Sequence, residues 1–311
     1  MLRDEKLHGQ PPSPWTCAAH TLPSVEFPVW GSICVASFRP ALAFSLALLL
    51  SGVAHAQPSA GTAAATSKAP AKPVAPIKAY DLPQIEAFGN AIYRQDIAAW
   101  LASDALTAKV PDLQNAGLRG WLVQDDGKTA KVRFIRDKGA GLEVGYDVVV
   151  DGKGAGPVTE PADRKLTDEE RLAFSARQAA ATTGASTCRA GYNTAMVKNP
   201  DGDGWIVWLL APAPAAGAIP VGGHYRIFVA ADGKTIKRVD ALSASCLLIE
   251  KPKAADGKPA LAFASHIVSP TPVETHVFLS TLYKMPLAVG TSGGKDVWII
   301  EKGKIGKAQT K

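Results

Sequence analysis

Six consecutive residues, Trp205–Leu210 (WIVWLL), carry no polar side chain. A short apolar run bounded by turn residues reads as a strand, and a strand with no polar face is one covered on both sides. The chain must therefore place a packing layer on each face of a sheet. Partner strands are expected at 192–197, 224–231 and 235–242, with NPDGDG at 199–204 and Asp232-Gly233 as turns. Upstream, Leu142, Val144, Tyr146, Val148 and Val150 alternate with Glu143, Gly145, Asp147 and Val149, the pattern of a half-buried strand. Segments 121–123 and 131–136 add two shorter candidates around the hairpin dipeptide Asp126-Gly127.

Each group of strands follows a helical pattern. Ile85, Phe88, Ile92 and Trp100 recur along one face of 81–107, and Pro83 suits a first turn. Thr167 with Glu170 forms a capping box, helix formers continue to Thr183, and Gly184 is a natural stop. Beyond a polar loop at 251–258, the segments 261–268, 274–283, 287–290 and 297–301 read as short strands separated by Pro270, Pro272, Pro286, Gly293 and Gly294. The expected fold is α+β, with helices packed on mostly antiparallel sheets. It divides into an N-terminal α+β unit (79–160), a second α+β unit (161–250) and a C-terminal β-rich region (251–311). Asp-Gly-Lys recurs at 126–128, 151–153, 232–234 and 256–258. Duplication and plain hairpin chemistry both produce that pattern.

The stretch RPALAFSLALLLSGVAHA at 39–56 has a basic flank at Arg39, an apolar core at 41–50 and a small-x-small end, Ala54-His55-Ala56. That is a signal peptide, assigned to 35–56 and cleaved near Ala56, and it directs the chain to the periplasm or beyond. The apolar stretch is too short for a stable transmembrane anchor. Residues 1–34, mixed in charge and bearing Pro and Trp, read as a mis-called extension ahead of a start at Val35. Residues 57–78, rich in Ala and Pro, read as a disordered linker. Cys17 and Cys34 fall ahead of the cleavage site, so Cys188 and Cys246 remain as one pair. An oxidising compartment makes them a disulfide, worth ~4 kcal/mol on the chain-entropy model.

The net charge of +6 suits an anionic envelope, so the partners to expect are an envelope protein or an anionic glycan or lipid, and not nucleic acid. Lys302, Lys304, Lys307 and Lys311 read as a solvated basic terminus. Familiar metalloprotease and dinucleotide motifs are missing. There is no HExxH, and the glycines at 152, 154 and 156 lack dinucleotide-loop spacing. The NPDGDG segment would need Glu at its twelfth position to hold calcium and has Leu210. No cofactor is expected. The most distinctive string is Gly222-Gly223-His224-Tyr225-Arg226, in which His224 and Arg226 share one strand face and, with Tyr225, are candidate ligand contacts. Glu274 and His276 share a face if their segment is a strand, and with His224 they are the candidates for catalytic work.

The segments 222–226 and 269–278 (SPTPVETHVF), with Cys246, resemble exported bacterial proteins of unknown function. The resemblance covers about 165–305 and implies an envelope protein with no known reaction. A helix followed by a meander is similar in architecture to cystatin and PepSY modules, a likeness that carries no function. The expected function is a non-catalytic binding or accessory module of the envelope. The alternatives are a periplasmic hydrolase or metal-dependent enzyme using His224, Glu274 and His276, and an inhibitor-like or structural protein.

Overall fold

The computed structural model describes residues 76–113, 115–185, 188, 191–253, 260–292 and 296–308. The leader, the N-terminal extension, the linker up to 75, and Lys311 lie outside the described residues, as do Gly293, Gly294 and most of the 251–258 loop. The described chain is α+β, with three helices and 14 strands in mostly antiparallel sheets.

Helix α1 (Leu82–Lys109) starts where Asp81 accepts the Gln84 amide at 2.8 Å, has Pro83 in its first turn, and ends with Lys109 near the helix's negative pole. It leads into a meander of β1 (Leu118–Asp125), β2 (Ala130–Asp137), β3 (Leu142–Asp151) and β4 (Gly154–Ala155). Helix α2 (Asp168–Ala181) opens with the expected capping box: the Glu170 amide donates to Thr167 at 3.1 Å, and the Thr167 amide donates back to Glu170 at 2.8 Å. The second sheet runs β5 (Asn193–Lys198), β6 (Trp205–Leu210), β8 (Tyr225–Val229) and β9 (Ile236–Ala241). Between β6 and β8, the short β7 (Ala218–Pro220) pairs with β10 (Leu248–Glu250).

Strand β6 is buried along its whole length, as its composition requires. Ile206, Trp208 and Leu210 face a core shared with Ile85, Phe88 and Ile92 of α1. Trp205, Val207 and Leu209 face Ala176 and Ala180 of α2. The first sheet is covered on two sides as well. Val132, Phe134, Val148 and Val150 pack on Ala98, Ala102 and Leu106 of α1, while Leu122, Ile135 and Val144 pack on Leu166 and Phe174. Each of the two helices therefore serves two sheets. Burying a side chain such as Phe88 or Phe174 contributes about 1.5–3 kcal/mol.

The third sheet orders β11 (Ala262–His266), β12 (Leu287–Thr291), β13 (Val297–Glu301) and β14 (Lys304–Lys307). Its first two strands are parallel. A parallel pair cannot be closed by a tight turn, so the connection must cross over the sheet face. That connection is α3 (Glu274–Leu282), and it corrects the expectation of a strand over 274–283. The β-branched and aromatic content of ETHVFLSTLY mimics a strand, but the crossover requirement overrides local preference. Helix α3 meets α1 closely: a Cβ on Gly89 would lie 2.4 Å from Val277 Cβ. Within the described residues, the basic terminus packs back on α1. Lys304 pairs with Glu86 of α1 at 2.9 Å, and the Ile305 amide donates to the same carboxylate at 2.8 Å. No helix among the described residues is long and apolar enough to cross a membrane.

Cys188, after α2, and Cys246, after β9, form a disulfide. Gly222 and Gly223 fit against it. Gly223 has φ +87°, and a Cβ there would lie 2.5 Å from Cys188 Sγ; one on Gly222 would lie 2.3 Å from the Ser245 carbonyl. The doublet allows the backbone to pass the crosslink.

Candidate functional site

The residues singled out in the sequence sit in the interior. Arg226 is 1% exposed and Glu274 is fully buried. Arg226 Nη1 donates to Glu274 Oε1 at 3.0 Å, and Nη2 donates to Asp240 Oδ2 at 2.8 Å. Trp208 Nε1 donates to Glu274 Oε1 at 2.7 Å, and the Lys78 amide donates to Asp240 at 3.0 Å. The guanidinium also donates to the Lys78 carbonyl and lies over the Tyr80 ring, 4.8 Å from its centroid. This network joins β6, β8, β9, α3 and the segment entering α1. Burial pulls the Arg226 pKa down, but Glu274 and Asp240 outweigh it, so the net shift is upward.

His224 is equally enclosed. Its Nδ1 accepts the Ala211 amide at 3.0 Å, and Nε2 lies 2.6 Å from the Pro220 carbonyl. Burial lowers its pKa to about 4. His276 Nδ1 accepts the Val273 amide at 3.1 Å, the part a Glu or Gln at the third helical position plays in a capping box. Its ring meets that of His266 edge-on at 4.8 Å, and burial takes its pKa well below the usual imidazole range. Glu274 and His276 are two residues apart on a helix, so they point in different directions. Tyr225 is half-buried, its ring tilted against Tyr192. His224, Tyr225, Arg226, Glu274 and His276 have protein partners, and none of the five lines the large cavity described next. Among the described residues, no three His, Cys, Asp or Glu side chains are grouped as a metal ion would need.

The cavity, of about 390 Å³, lies where α1, β1, β5, α3 and the β6–β7 connection meet. The connection reads APAPAAGA over 211–218, and its small side chains wall a space without filling it. Asp96 and Trp100 enter from α1, one turn apart on the same face. Trp121 comes from β1, Asn193 from β5, and Phe278 and Tyr283 from α3 and its C-terminal cap. Just N-terminal to Asp96, Gln95 locks α1 onto the edge strand β5. Its amide donates to the Met196 carbonyl at 2.8 Å and accepts the Met196 amide at 3.0 Å.

The polar groups of this wall are incompletely matched. Asp96 Oδ1 accepts only the Asn193 amide, at 3.4 Å, and burial raises its pKa to about 6. Trp100 Nε1 is buried behind the wall and has no hydrogen-bond partner among the described residues. Tyr283 Oη donates to the Ala218 carbonyl at 3.3 Å; burial first, then the charge of Asp96, raises its pKa to about 12. Behind Trp121, the Arg177 guanidinium stacks on the indole at 4.1 Å and donates through Nε to Thr194 at 2.6 Å. Lys251 stands exposed at the rim. An apolar enclosure with a few convergent polar groups and a perturbed carboxyl is the ordinary form of a small-molecule site. The sequence reading placed Trp100 on a core face and passed over Asp96 and the 211–218 segment. The available signal was an Ala/Pro run directly after an all-apolar strand. No protein-family model, curated protein or solved structure matches the chain.

Proposed function

We propose that the protein is an exported, non-catalytic binding module of the envelope, and that its ligand occupies the cavity between α1, the 211–218 segment and α3. The observation that carries this reading is the cavity of about 390 Å³ whose wall holds Asp96 with no ion-pair partner among the described residues. A lone carboxylate in a largely apolar wall is the polar anchor such a site offers a ligand. A binding role suits the lining better than catalysis. Asp96 is the only carboxylate of the lining, which holds neither His nor Cys, and among the described residues no hydrogen bond joins Asp96 to Ser103, Thr194, Tyr283 or Lys251 in the same wall. Export is supported by the leader pattern and by the disulfide, which persists in oxidising compartments.

Two experiments test the proposal. Fractionation with N-terminal sequencing is expected to find a product beginning at Gln57 outside the cytosol. Native mass spectrometry of protein purified from its own cells is expected to show a small-molecule adduct. Filling the cavity by Ala213→Trp should abolish that adduct, and retention of the adduct would exclude the cavity as its site.

A second reading, recognition of a protein through a sheet edge, is favoured by β11. It ends its sheet, and its outward residue Phe263 is 56% exposed, with Ile267 just beyond the strand 66% exposed. Loss of partner capture on Phe263→Lys, with cavity binding intact, would favour this reading over the first.

A further inference from the structure

Among the described residues, Asp96 is the lone carboxylate of the cavity, and its one hydrogen bond is the long one from Asn193. No Lys, Arg or His among the described residues forms an ion pair with it. A desolvated carboxylate without a cation is an expensive arrangement for a folded chain. Around it stand the aromatic side chains of Trp100, Phe278 and Tyr283. Aromatic faces with a carboxylate behind them are the surroundings that select an organic cation over its neutral or anionic analogue.

Resting on the binding role proposed above, we infer that the ligand is an organic amine: an ammonium group held by Asp96, on an apolar body that packs against the aromatic lining. The ammonium sits against Asp96. Arg177 already occupies one face of Trp121, and Lys251 Nζ lies over the Tyr283 ring, 6.0 Å from its centroid, so the space suits a ligand with a single positive charge.

The test titrates the purified protein with phenethylamine, 2-phenylethanol and phenylacetate, reading the Trp100 indole N–H by NMR and affinity by calorimetry. Phenethylamine is expected to bind about tenfold or more tighter than the alcohol, and phenylacetate weakest. Asp96→Asn is expected to erase the preference for the amine while leaving the alcohol's affinity in place. In the unmutated protein, lowering the pH through about 6 should weaken the amine and spare the alcohol, because Asp96 takes up a proton there while the amine keeps its charge. The other groups facing Asp96 are Asn193 and the Tyr283 hydroxyl, neither of which titrates in that range, with Lys251 at the rim. Equal binding of amine and alcohol, or tighter binding of phenylacetate, overturns the inference and leaves the binding role standing. Failure of all three probes to move the Trp100 resonance overturns both.

Discussion

Two regions of this molecule bury charge, and they treat it in opposite ways. Around Arg226, two carboxylates, an indole N–H and a backbone carbonyl surround one guanidinium. Around Asp96, a single carboxylate has one long hydrogen bond, and a neighbouring indole N–H has none. Both regions use the same types of residue, on elements that touch each other. The difference is completeness. A complete network welds its elements together, because removing any member strands the others. An incomplete one beside an open volume is a vacancy shaped for something else.

That contrast can be broken by mutation. The largest effect is expected from Glu274→Ala, which leaves Arg226 half-paired and Trp208 without its acceptor. The loss should be about 3–5 kcal/mol, read from urea unfolding. A loss below about 1 kcal/mol would mean the network does not brace the fold. Asp96→Asn should move the other way. The folded-state pKa of Asp96 lies near 6, above the usual carboxylate value, so the folded form prefers the proton. Above about pH 6 the charged group costs stability, and the cost disappears as the pH falls below about 4. The variant should therefore be more stable than the parent by about 2 kcal/mol at pH 7 and equal to it near pH 3.5, seen as converging unfolding midpoints. The smallest and sharpest comparison pairs two tryptophans. Trp208→Phe takes a donor from Glu274 and should cost about 1–3 kcal/mol, whereas Trp100→Phe also relieves a buried donor with no partner among the described residues, a gain of about 1–3 kcal/mol that offsets the lost indole packing and leaves the variant near neutral or more stable. Equal costs for the two would erase the distinction between the regions.

Most of the fold was legible because its signals are local. The buried strand at Trp205–Leu210, the capping box at Thr167 and Glu170, and the Asp-Gly hairpins each depend on a few adjacent residues, and each was found where expected. Helix α3 was illegible because its conformation is set by the parallel pairing of strands on either side of it, a fact carried by neither composition nor period. The short strands β7, β10 and β14 gave no pattern long enough to read. The candidate residues show a related failure. Gly222, Gly223, His224 and Arg226 are unusual for sound physical reasons: two glycines pass a disulfide, a histidine bridges two backbone groups, and an arginine pairs inside the core. The 211–218 wall of the cavity, in contrast, is alanine, proline and glycine, which no search for reactive side chains would flag.

Helix α1 runs through both cores, its first half anchored by Ile85, Phe88 and Ile92 and its second by Ala98, Ala102 and Leu106. Asp96 falls at the changeover between them, where the helix acts as the shared axle of two bodies. Any tilt of the first sheet against the second turns that axle, and so reaches the floor of the cavity directly, without a hinge or a mobile lid to relay it.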